Sequence, residues 1–204
     1  MSIEHVDPKK RTAVMVARHD QVPTGMAVVV SCAFAMLLTA APPAVATVVD
    51  VAPSGFTLQI TAHIAAPPGR VYAILTKPSL WWDSAHTFSG DAHNLALSVK
   101  AGGCWCEKLA DGGSVSHLTV VYVDPGKVLR LRGALGPFQG YGVEGAMTWT
   151  LKASGSGTDL LLTYALGGYY KDGFDLWSKG ADGVLTAQVE RLNRFVASGS
   201  PDKR

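Results

Sequence analysis

Residues 102–133 read GGCWCEKLADGGSVSHLTVVYVDPGKVLRLRG, and this stretch decides the fold. Its alternating segments are broken at Asp111-Gly112-Gly113 and at Asp124-Pro125-Gly126, turn chemistry in which Gly accepts positive φ and Pro presets φ. That punctuation predicts three antiparallel strands in succession. The same stretch carries Cys104, Cys106, Glu107 and His117, most of the side chains that could do chemistry.

Towards the C-terminus, Gly136-PFQGYGVEG reads as a glycine-rich connection too irregular for a strand. Ala146-MTWTLKA and Thr158-DLLLTYALGG form a last hairpin, joined through Ser154-GSG. A loop, Tyr169-Tyr170-KDGFDLW, leads to a terminal helix over 182–196, with Leu185, Val189, Leu192 and Val196 on one face. Towards the N-terminus, Leu95 to Lys100 is a further strand. Before it, Phe56, Leu58, Ile60, Ala62 and Ile64 alternate against polar residues as a half-buried strand. Pro68 suits the first turn of a short helix carrying Val71, Ile74 and Leu75, and Pro78 ends it and opens a second. Strand, two short helices, a meander of strands and a long helix make an α+β domain.

The chain has 204 residues, and its formal net charge of +2 leaves no electrostatic footprint for DNA or RNA. Lys9, Lys10, Arg11 and Arg18 precede the apolar segment Met26-AVVVSCAFAMLLTAAPPAVA, which ends in Ala44-Val45-Ala46. A basic lead, an apolar core and a small-x-small site describe a secretory signal peptide cut after Ala46. Residues 1–46 are therefore expected to be leader, 47–54 a tether, 55–198 the domain and 199–204 a disordered tail. An uncleaved anchor over residues 26–46, the one route to a membrane, is the competing reading, since roughly 20 apolar residues can span a bilayer. Removal of the leader leaves only Cys104 and Cys106. One intervening residue makes a bridge between them strained, so they read as free thiols or metal ligands.

Ile64-AAPPGRVYAILTKPSLWW, Gly102-Gly103, Glu107, Asp111-Gly112 and Val121 to Leu131 together resemble the START-like, or SRPBCC, superfamily. The nearest branches in pattern are the activators of the heat-shock ATPase and the polyketide cyclase/dehydrase proteins. The resemblance covers about Phe56 to Ser198. It implies a helix-grip fold, a curved antiparallel sheet of about seven strands wrapped on a long C-terminal helix. It also implies a cavity between the two that holds a hydrophobic or amphipathic small molecule. Export removes a cytosolic chaperone partner, so a co-chaperone-like role ranks behind ligand binding.

Candidate sites depend on one residue of hairpin register. A two-residue loop at Asp111-Gly112 sets Cys106 opposite His117 and Cys104 opposite Thr119, which gathers two thiols and an imidazole suited to a soft metal. One extra loop residue sets Glu107 opposite His117, an acid–base pair or a plain surface salt bridge. Asp83 is a second carboxylate for an enzyme of cyclase, dehydratase or hydrolase type. Trp82, His86, Trp149, Tyr164 and Trp177 supply the aromatic area with polar edges that a pocket for an amphipathic ligand needs. Neither a nucleophile elbow nor a phosphate-binding glycine loop occurs, and no cofactor is expected.

Overall fold

The computed structural model describes residues 44–202. Eight strands form one sheet: β1 (Val45–Ala52), β2 (Gly55–Ile64), β3 (Leu95–Leu97), β4 (Cys104–Lys108), β5 (Ser114–Asp124), β6 (Val128–Arg132), β7 (Gly142–Ser154) and β8 (Gly157–Tyr169). Two α-helices, α1 (Pro68–Leu75) and α2 (Asp175–Ser198), complete the domain, with short 3₁₀ turns at Pro78–Leu80 and Ser84–His86. The spatial order is β1-β2-β8-β7-β6-β5-β4-β3, antiparallel at every ladder. β3 to β8 are thus a meander, and β2 closes onto its far end beside β8.

Alternation places Phe56, Leu58, Ile60, Ala62 and Ile64 of β2 in the core, where they meet Met147, Trp149 and Leu151 of β7 and Leu160, Leu162 and Tyr164 of β8. Leu185, Val189, Leu192 and Val196 of α2 cover this face. Each such aliphatic side chain contributes about 1.5–3 kcal/mol on burial. Pro68 stands at the start of α1 and buries Val71 and Leu75 below it. Arg70 of that helix donates to the Val196 carbonyl at 3.1 Å, which fixes α1 against the end of α2. This is the helix-grip α+β architecture.

Four expectations change. Residues 47–54 are not a tether, because Thr47, Val48 and Asp50 pair with Gln59, Leu58 and Thr57. The sheet thereby gains an eighth strand at its edge. β7 starts at Gly142 rather than Ala146, since Gly142–Gly145 pairs with Leu166–Tyr169 and the glycines lie where two backbones approach closely. α2 starts seven residues earlier than 182, at Asp175. Residues 199–202 are not disordered: Gly199, at φ 76°, caps the helix, Arg194 donates to the Pro201 carbonyl at 2.7 Å, and Arg191 pairs with Asp202 at 2.7 Å. Of the expected leader, residues 1–46, residues 1–43 fall outside the described residues, and Val45 and Ala46 pair with Thr61 and Ile60 as the start of β1. Among the described residues no helix is long and apolar enough to cross a membrane.

Candidate functional site

β4 and β5 begin in the first predicted register and then leave it. Cys104 faces Thr119 and Trp105 faces Leu118, but Cys106 then faces Ser116 and Lys108 faces Ser114. His117 is the extra residue, a bulge on β5. Asp111, at φ 55°, and Gly112, at φ 77°, turn the longer loop that this slip requires. The bulge breaks the period of two, so His117 and Leu118 are both buried. His117 therefore points to the same side of the sheet as Trp105 and Glu107.

That placement forms the buried pair. His117 Nε2 lies 2.9 Å from Glu107 Oε2, with the two side chains 5% and 0% exposed, so it is no surface salt bridge. Glu107 also accepts the backbone N–H groups of Phe88, at 3.1 Å, and of Ser89. Burial pushes its carboxyl up, but the hydrogen bonds from Ser89, Phe88 and His117 outweigh that and hold it below its ordinary value. The group is an ionised carboxylate that pins the loop after the Ser84–His86 turn to β4. The exposed Phe88 ring stacks on the imidazole, centroids 5.8 Å apart.

The cysteines point the other way, half-buried on the opposite face of β4. They are joined as a disulfide with Cα atoms 5.3 Å apart, within the range a bridge accepts. The expectation of free thiols or metal ligands at Cys104 and Cys106 is thereby corrected. His117 is on the other side of the sheet. Among the described residues no group of three His, Cys, Asp or Glu is placed to hold a metal ion.

Between the sheet and α2 lies a cavity of about 380 Å³, within the range of small-molecule sites. Trp105 and His117 form its floor with Tyr164. Trp82, His86 and Phe88 come from the loop after α1, Leu135 to Phe138 from the β6–β7 connection, and Trp177, Gly180 and Val184 from α2. Its wall is mostly apolar. The Tyr164 hydroxyl accepts from the Leu135 N–H at 3.2 Å, and burial pushes its pKa up to about 12, so it stays neutral. Trp177 is held by Phe138, Tyr141 and Tyr170, with ring centroids 5.1 to 6.0 Å away.

The predicted residues fall into two groups. Trp82, His86, Tyr164 and Trp177 line the cavity, with His86 exposed at its rim. Trp149 does not: it is a core residue packed edge-on against Trp81 at 6.1 Å. Asp83 is also away from His117. Its carboxylate caps the Ser84–His86 turn by accepting from the Ala85 N–H at 3.0 Å, and its own N–H donates to Gln188 at 2.9 Å. Sequence reasoning missed Trp105 and Gly180. Trp105 was visible as the residue between two cysteines that must take the face they leave, whereas nothing marked Gly180.

A curved antiparallel sheet closed by one long helix over an apolar cavity defines an SRPBCC-type, helix-grip protein. Residues 55–197 match the family described as polyketide cyclase / dehydrase and lipid transport, and the chain belongs to that family. Among solved structures, the chain is similar to a conserved protein of unknown function from Enterococcus faecalis. That pair has a TM-score of 0.54 and 16% identity over 78% of this chain and 82% of the other. A protein from Mesorhizobium loti (TM-score 0.51, 19% identity, 69% and 96% covered) and one from Arthrobacter aurescens (0.51, 14%, 78% and 97%) share the fold. No curated protein matches the sequence.

Proposed function

We propose that this protein binds a hydrophobic or amphipathic small molecule in the cavity between the sheet and α2, and that it does so outside the cytoplasm. One observation carries the binding reading: a mostly apolar cavity of about 380 Å³ with a few polar groups in its lining. That is the composition which holds an apolar body and orients a polar end. Membership of a family described by cyclase, dehydrase and lipid transport agrees with it. Export is supported by the basic and apolar leader ending at Ala44-Val45-Ala46 and by the Cys104–Cys106 disulfide, a bond that persists in oxidising compartments.

Native mass spectrometry of the protein produced with its own leader tests both parts. The expected result is a chain beginning at Thr47, two hydrogen atoms lighter than its reduced form, with a small apolar molecule released on denaturation. Delipidated protein that fails to take up a fluorescent fatty acid or a polycyclic probe would remove the binding reading.

The Glu107–His117 pair favours a second reading, in which the carboxylate orients an imidazole for general acid–base work on the bound molecule. Asp83 has no part in it. Binding alone returns the ligand chemically unchanged. Turnover alters it and is lost in His117→Ala.

A further inference from the structure

Two residues of the cavity floor each carry a polar atom without a protein partner. His117 Nδ1 and Trp105 Nε1 are both buried, and neither makes a hydrogen bond among the described residues. Both side chains line the cavity and are 5% and 3% exposed. Buried polar atoms of this kind are nearly always paired in folded proteins, so each calls for an explanation.

The neighbours determine what the two atoms offer. Glu107 is a carboxylate that already accepts from Phe88 and Ser89 and has no proton to give, so His117 Nε2 must carry the hydrogen between them. An imidazole that carries its single hydrogen on Nε2 keeps a bare lone pair at Nδ1, a hydrogen-bond acceptor. The Trp105 indole N–H can only donate. The two residues are close across the ladder, because Trp105 pairs with Leu118, the residue next to His117. A molecule that reaches both atoms meets one acceptor and one donor, in a floor whose other polar group, the Tyr164 hydroxyl, already accepts from the Leu135 N–H.

A hydroxyl is the smallest group that answers both, since its hydrogen can go to a lone pair while its oxygen takes an N–H. A carboxylate only accepts and would set its lone pairs against that of Nδ1. An ammonium only donates, and a hydrocarbon leaves both atoms unpaired. We infer that the ligand is a neutral apolar molecule bearing a hydroxyl, whose O–H donates to His117 Nδ1 while its oxygen accepts from Trp105 Nε1–H. This rests on the proposed use of the cavity as a binding site and adds the chemistry of the ligand's polar end. Alcohols, phenols and enols share it.

Three probes of one ring system test it: 2-naphthol, 2-methylnaphthalene, in which a methyl replaces the hydroxyl at similar size, and 2-naphthoate. Affinities are measured on the purified full chain at neutral pH by tryptophan fluorescence and calorimetry. The expected order places 2-naphthol at least about tenfold tighter than either of the others. In His117→Phe and in Trp105→Phe the preference over 2-methylnaphthalene shrinks, to within about twofold in the former. The wild-type order stands as a test even if a variant fails to fold. Equal binding of 2-naphthol and 2-methylnaphthalene, as expected if water satisfies both nitrogens, overturns the hydroxyl assignment and leaves the cavity reading standing. Tightest binding of 2-naphthoate overturns it as well. Failure of all three probes to bind removes the cavity reading, and the assignment with it.

Discussion

Glu107 shows how one buried charge organises a site. Three N–H donors hold its carboxylate, and the resulting fall in its pKa makes folding sensitive to acid. A depressed folded-state pKa means that the unfolded chain binds more protons in the window between the two values, so stability rises with pH there. The contribution is complete above the ordinary glutamate range and lost as pH falls through the lower, folded value. Urea melts of wild type and Glu107→Gln at pH 7 and pH 4 should show the variant less stable at pH 7 by about 1–3 kcal/mol, because an amide NH₂ faces an N–H donor. The gap should narrow at pH 4, and a gap that widens on acidification would contradict the assignment of an ionised Glu107. Tyr164 makes a smaller prediction. Tyr164→Phe strands the Leu135 N–H and should cost about 1–3 kcal/mol in the same melts.

The β4–β5 hairpin shows what was legible in the sequence and what was not. Strands such as β2 could be read because Phe56 to Ile64 keep a strict alternation of buried and exposed positions. The turn at Asp111-Gly112 was also legible, but its length was not. A bulge inserts one residue without any compositional mark, and the consecutive burial of His117 and Leu118 contradicts the period on which the reading depended. The disulfide was missed because one intervening residue was judged too few, yet the Cα atoms of Cys104 and Cys106 lie 5.3 Å apart, inside the range a bridge accepts. The first turns of α2 were hidden differently. Gly180 and Gly183 lower helix propensity, while packing of Trp177 against Phe138 and Tyr170 supplies what propensity lacks. A bridge that closes so short a loop restricts the unfolded chain little, so Cys104→Ser/Cys106→Ser should lose only about 1–2 kcal/mol. Calorimetry checks this, and complete failure of the double variant to fold would mean that the bridge sets the register of the hairpin.

At the scale of the whole molecule, the question is why a sheet and helix that bury so much apolar surface leave about 380 Å³ unfilled between them. Interiors usually pack without voids of this size, and empty volume lowers stability. Gly180 is informative because it sits inside α2 where glycine costs roughly 1 kcal/mol relative to alanine, and a Cβ placed on it would meet nothing within 4 Å. Gly180 is exposed at the cavity edge, and a larger residue there would relieve the propensity cost, so stability alone gives no reason for the glycine. Space for a ligand does, since Gly180 lines the cavity. Gly180→Leu should therefore act in opposite directions on two readouts. Thermal unfolding should shift upward, by roughly 0.5–1 kcal/mol of added stability from helix propensity. Affinity for an apolar probe such as 2-naphthol should fall about tenfold as the leucine crowds the edge of the cavity beside Trp177 and Val184. A variant that gains stability and still binds with unchanged affinity would place the ligand elsewhere on the protein. One that loses both would mean that the helix cannot carry a side chain at this position, which contradicts the open space around it.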